Sequence, residues 1–141
     1  MKTTHPFRLL ALLLCALSLA LSSCGGDEEA PEPSKEELLT EKTWKISKIT
    51  LDAVDATYHP DMIALRSVRS RFGSSGVYTE SSVSGVRTGS WRLVGNTLLL
   101  YPGTADEERW DILSLSSGVL RISSTLVYAD GSSDLMELEL V

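Results

Sequence analysis

The sequence predicts an all-β fold closed into an antiparallel up-and-down barrel of about eight strands, with a two-sheet sandwich as the alternative. Three observations predict it. Short runs rich in Val, Ile, Leu, Thr and Tyr recur from Thr43 onward, each bounded by Gly, Asn, Asp or Ser. Most intervals between the runs are turns of a few residues, which join antiparallel neighbours, whereas a parallel crossover needs about a dozen residues or more. A long meander also leaves two unpaired edges, and closure into a barrel removes both.

The N-terminal stretch of the 141-residue chain stands apart from this pattern. Lys2 and Arg8, with His5, form a basic end, and residues 9 to 21 are almost wholly apolar. That run is too short to span the roughly 30 Å hydrocarbon core of a bilayer, and with the small Ser22 and Ser23 behind it the segment reads as a secretory leader. Leu21-Ser22-Ser23-Cys24 resembles the lipobox of bacterial lipoproteins, an aliphatic residue and two small residues before a cysteine. The resemblance implies a thioether-linked lipid on Cys24, cleavage before it and acylation of the new amino group. Several acyl chains then supply a stable anchor. The expected division is a signal peptide over residues 1–23, a flexible acidic tether over 24–34 and a folded domain over 35–141.

Cysteine usage follows from that division. Cys15 leaves with the leader and Cys24 carries lipid, so the mature domain has no disulfide, thiolate metal site or cysteine nucleophile. Its stability must rest on a single hydrophobic core. The chain carries 13 basic and 19 acidic residues, a net charge of −6, and loss of Lys2 and Arg8 makes the mature form more negative. Much of the acidity (Asp27, Glu28, Glu29, Glu32, Glu36 and Glu37) belongs to the tether and the first helical turn. No basic patch suits nucleic acid or anionic lipid. Acids just after a lipidated cysteine resemble the signal that exports some lipoproteins to the outer face of the outer membrane, beside their plain role as a solvated spacer. The expected location is therefore the outer membrane of a Gram-negative bacterium, lipid-anchored, on its periplasmic or cell-surface face.

Within the domain, Ser34 and Glu37 have capping-box spacing and predict a short helix from Lys35 to about Lys42. A strand over 43–51 follows, with Trp44, Ile46 and Lys48 alternating against Lys45, Ser47 and Ile49. Residues 52–61 read as a loop, and 62–67 as either a helical turn or a strand. Gly73-Ser74-Ser75-Gly76 joins strands over 68–72 and 77–83, and Gly95-Asn96 joins 86–94 to 97–101. Residues 102–107 form a turn before a strand over 108–115, where the burial demands of Ile112 and Leu115 predict a bulge. Strands over 119–128 and 133–141 complete the set around Ala129-Asp130-Gly131. Alternation sends Met136, Leu138 and Leu140 inward, with Leu120 and Ile122. For 77–83, keeping charge out of the core favours Val77, Thr79, Ser81 and Val83 as the inward set, over Tyr78, Glu80 and Ser82.

Two stretches carry a family resemblance: Leu38-Leu39-Thr40-Glu41-Lys42-Thr43-Trp44, and Thr88-Gly89-Ser90-Trp91-Arg92-Leu93 running through Gly95-Asn96 into Thr97-Leu98-Leu99-Leu100. With Trp110-Asp111-Ile112-Leu113-Ser114-Leu115 they resemble the lipocalin-like lipoproteins of Gram-negative bacteria, within the wider calycin group, over residues 35 to 141. Lys42 departs from the pattern, which has glycine there, and the C-terminal helix of longer lipocalins does not follow Val141. The resemblance implies a cup-shaped barrel around a small apolar molecule, with Trp44 closing its bottom by packing. Trp91 and Trp110 are expected as core or rim residues.

No catalytic residue, metal ligand set or cofactor is expected. His59 is the one histidine of the mature chain and, with Asp61, falls short of a zinc site. Asp106, Glu107 and Glu108 read as a wet turn, and no glycine-rich phosphate loop opens a helix. The leading reading is a non-enzymatic barrel that binds a small hydrophobic or amphipathic molecule against Leu98, Leu100, Leu120, Ile122, Met136 and Leu138. A second is a packed protein-interaction or structural module of the cell envelope, presenting a patch around Tyr58 and His59, with its protein partner unspecified. A third is a carbohydrate-contacting surface using Tyr58 and Tyr101.

Overall fold

A computed structural model describes residues 31–141. The chain divides into two units, Met1–Glu32 and Pro33–Val141, and the second holds all the elements below. Cys24, the leader and most of the tether lie outside the described residues.

Helix α1, Lys35–Thr40, begins at the expected cap: the Glu37 amide donates to Ser34 Oγ at 3.2 Å and the Ser34 amide to the Glu37 carboxylate at 2.7 Å. The strands are β1 (Thr43–Leu51), β2 (Val54–Asp55), β3 (Arg69–Phe72), β4 (Val77–Ser82), β5 (Gly85–Val94), β6 (Thr97–Leu100), β7 (Glu108–Leu115), β8 (Leu120–Val127) and β9 (Ser133–Leu140). From β3 to β9 each pairs antiparallel with the next, and β1 pairs with both β3 and β9. Eight strands therefore close into a barrel, with β2 a two-residue addition hairpinned onto β1. The predicted barrel is the observed one. Gly95, at φ +64, takes the left-handed conformation that the tight β5–β6 turn demands.

The two ends of the barrel differ. At one end α1 packs against β3 and β7, and the fully buried Trp44 donates its indole N–H to the Leu39 carbonyl at 2.9 Å. Lys42 stands beside it, its ammonium 4.6 Å from the Trp44 ring centroid and bonded to the Gly118 carbonyl. A lysine thus holds the position where the resemblance implies glycine. The opposite end carries β2, the 3-10 turn Pro60–Met62, helix α2 (Ile63–Arg66) and the β4–β5 and β8–β9 turns. Residues 62–67 are thereby mostly helical rather than strand.

The core runs between these ends and contains Trp44, Ile46, Ile49, Phe72, Tyr78, Trp91, Trp110 and the inward leucines. Strict alternation fails in β1. A register shift against β9 between Ile46 and Lys48 reverses the phase, so Ile49 turns into the core and Lys48 out of it. The physical reason is burial: the irregularity exchanges a lysine for an isoleucine inside. A second irregularity, between Ile112 and Ser114 of β7, is the bulge that the two apolar residues require. β2 falls within the stretch expected to be loop, where Thr57 Oγ1 accepts from the Ile49 amide and folds the segment back onto β1.

Candidate ligand cavity

Inside the barrel lies a cavity of about 60 Å³. Leu98, Leu100, Leu120, Ile122 and Leu138 are on its walls, and Ile46, Phe72 and Trp110 complete much of the apolar lining. Met136, expected beside them, is buried in the same core but does not line the space. Pairing places the leucines: Leu98 faces Trp110 across β6 and β7, and Ile122 faces both Ile112 and Leu138. Leu65 of α2 and Val68 beyond it contribute lining from the end opposite α1. Pockets that hold drug-sized ligands start near about 300 Å³. This interior has room for a short molecule or a few waters.

Its polar wall comes from β3, β4 and β7. Ser70 Oγ lies 3.0 Å from the Tyr78 hydroxyl, which donates to the Glu80 carboxylate at 3.2 Å. Glu108 accepts the Trp110 indole N–H at 3.2 Å. All of these residues line the cavity. Burial drives the Tyr78 hydroxyl well above the ordinary tyrosine range, and the Glu80 charge adds to the rise while the bond from Ser70 opposes it.

Two expectations are corrected here. β4 turns Tyr78 and Glu80 inward, while Val77 and Val83 are exposed. The charge that argued against this face is accommodated because Glu80 gains the Tyr78 hydroxyl and Arg87, whose guanidinium lies 4.0 Å away across the β4–β5 pair. Glu108, read both as the first residue of the strand over 108–115 and as part of a wet acidic run, keeps the first reading and loses the second. It begins β7 opposite Leu100 and faces inward, whereas Glu107 bonds Arg109 at 2.6 Å on the outside.

The carbohydrate-contacting reading needs Tyr101 exposed at the end of its strand, and it is only 7% exposed. Its backbone is left-handed (φ +51), its amide donates to the Ser90 carbonyl, and its ring meets Tyr78 edge-on with centroids 5.6 Å apart. The Arg87 guanidinium covers it at 4.6 Å. A carbohydrate platform of Tyr58 and Tyr101 therefore does not form, because one ring is in the core. Tyr58 is 77% exposed, with Arg66 stacked on it. His59 is exposed and only caps the Pro60–Met62 turn, its Nδ1 accepting from the Asp61 amide.

A larger hollow, about 390 Å³, lies on the outer face among Thr97, Arg109, Asp111, Thr125 and Leu135. The hollow is open to solvent, so a molecule there would remain largely in water. No group of three or more His, Cys, Asp or Glu among the described residues is placed to hold a metal ion.

Comparison with known proteins adds one finding to this geometry. No curated protein matches the chain. The family model of the lipocalin-like domain matches residues 40–122, a span from the end of α1 to the middle of β8. The match takes in the closing Trp44, the Gly89–Trp91 stretch and most of the cavity wall, and by it the chain belongs to the lipocalin-like domain family.

Proposed function

We propose that this protein is a lipid-anchored, non-enzymatic binding barrel that holds one short amphipathic molecule in its interior. The cavity carries the reading: a mainly apolar interior space with Ser70, Tyr78, Glu80 and Glu108 on its wall. Apolar walls supply affinity, and a few fixed polar groups supply orientation. The Leu21-Ser22-Ser23-Cys24 sequence supports the anchor, and the acidic tether supports a location at the outer membrane. The lipocalin-like family supports binding rather than catalysis.

The test is native mass spectrometry of the full chain purified from the envelope of cells that produce it. The expected result is an added mass of a small molecule, retained by the folded chain and lost on denaturation. A chain free of added mass in repeated preparations overturns the reading.

One observation favours a second reading, an interaction module of the cell envelope. The end opposite α1 exposes Val54, Tyr58, Ile63, Val83, Val86 and Val127, an apolar set that water does not favour. Crosslinking through Tyr58 to a recurring envelope protein, with no small molecule retained, is the outcome that would favour it.

A further inference from the structure

Strand pairing gathers basic residues that are scattered along the chain, so a patch absent from the linear sequence forms on the barrel. Lys45 of β1 lies directly opposite Arg69 of β3, and Arg71 follows two residues further along β3, opposite Thr43. Their neighbours Trp44, Ser70 and Phe72 are buried, so alternation turns all three basic side chains to the outer face. None of the three enters an ion pair among the described residues. Like charges directly opposite across a strand pair are unfavourable, and here no ion pair offsets them.

The sheet beyond β3 supplies no acid to this face. Arg71 faces Thr79 of β4 and, beyond it, Thr88 of β5, while Arg69 faces Ser81 and then Val86. Glu80, the one acid of β4, is turned into the cavity. On the other side of β1 the acids of β9 are already engaged: Glu139 accepts from Ser47 at 3.1 Å and Glu137 from Arg121 at 3.3 Å. Arg69 is held in place by the carbonyls of Arg66, Ser67 and Val68, neutral acceptors that leave its charge uncancelled. A chain of net charge −6 thus presents a face of cations and short hydroxyl side chains.

We infer that this face docks on the anionic phospholipid headgroups of the bilayer to which the chain is anchored. Guanidinium groups bind phosphate oxygens in pairs, and lysine adds a point charge. The cations are spread along two strands of an outer face, which suits a surface of many phosphates rather than one soluble anion. The bilayer is also within reach. Ten residues separate Cys24 from Ser34, at most about 35 Å when extended, and Ser34 caps a helix that packs on β3.

This inference rests on the proposed lipid anchor, and the experiment separates the two. The full-length chain, labelled at its Thr and Val methyl groups, is placed on nanodiscs that carry a headgroup spin label. The discs are phosphatidylcholine alone or phosphatidylcholine mixed with phosphatidylglycerol. The expected result is paramagnetic broadening of Thr79, Thr88 and Val77 on the mixed discs, absent on the neutral discs and removed by high salt. Val54 and Val127, at the end opposite α1, stay sharp on both. Lys45→Gln and, separately, Arg71→Gln lower the ratio of docked to free barrel by about fivefold each, with the methyl spectrum in solution unchanged. Equal broadening on both discs, or broadening confined to Val54 and Val127, overturns the docking face. No broadening on the mixed discs also overturns it, and crosslinking of Lys45 to an acidic envelope protein would then give the face to a protein. A chain that separates from the neutral discs on size exclusion loses the anchor, while salt-sensitive broadening on the mixed discs still decides the face.

Discussion

The ring of Tyr101 occupies the space that a side chain at Gly89 would need: a Cβ on Gly89 would lie 2.3 Å from Tyr101 Cδ1 and 2.5 Å from Cε1. The glycine of the Thr88-Gly89-Ser90-Trp91 stretch is thus explained by contact rather than by a turn. It lets an aromatic ring from the end of β6 lie flat on β5 beneath Arg87. Tyr101 in turn packs on Tyr78 and so on the polar wall of the cavity.

Gly89→Ala therefore overpacks a site with no slack, and we expect a loss of about 1–3 kcal/mol in unfolding free energy. Urea denaturation of the full chain measures it. Tyr101→Ala removes the obstacle, so the double variant should lose less than the two single losses combined. Additive losses would show that the strain lies elsewhere in the backbone.

The closed end offers a second check. Trp44→Phe keeps the ring but removes the indole N–H that bonds the Leu39 carbonyl, leaving a buried acceptor unsatisfied. A loss of about 1–3 kcal/mol is expected. Lys42→Ala removes an exposed ammonium from the Trp44 face and should cost only about 0.5–1 kcal/mol. A larger loss for Lys42 than for Trp44 would reverse this picture of how α1 is held.

The barrel was legible in the sequence because its signals are local. Ser34 and Glu37 mark the cap, Gly95-Asn96 marks a turn, and the spacing of Ile112 and Leu115 marks a bulge. The interior polar wall was not legible, because each of its members depends on a partner distant in sequence. Glu80 points inward because Ser70 faces it across β3 and β4 and Arg87 across β4 and β5. Glu108 reads as the last acid of a wet turn until its pairing with Leu100 turns it inward. Tyr101 looks like a loop aromatic until Gly89 supplies the space that takes it in. The reversal at Ile49 has the same origin, since alternation within β1 carries no trace of the irregularity imposed by β9.

Alkaline pH should loosen the barrel through Tyr78. Tyrosine in the unfolded chain ionises near about 10, and the folded hydroxyl ionises at higher pH because it is buried. Its contribution is therefore fully present below the unfolded value and is lost as pH rises above it. The expected slope approaches about 1.4 kcal/mol per pH unit for one such group. Urea midpoints between pH 8 and pH 11 test this, with Tyr78→Phe as the control. The variant should be less stable at neutral pH, having lost its bonds to Ser70 and Glu80, but its alkaline decline should be shallower. An equally steep decline in the variant would assign the effect to other groups.

The anchor gives the last prediction. The apolar run over residues 9–21 is short for a membrane span, and lipid on Cys24 would supply the hydrophobic attachment that it lacks. Cys24→Ser should abolish incorporation of labelled fatty acid and leave residues 1–23 on the chain, visible as a heavier polypeptide by intact mass. Cys15→Ser, inside the apolar run over residues 9–21, should change neither. The contrast matters because both cysteines would lie near the same membrane in an exported chain, and only one follows an aliphatic residue and two small ones. Acyl label that persists in Cys24→Ser, or a mature chain that begins at another residue, would remove the anchor from the proposed function while leaving the barrel and its cavity unaffected.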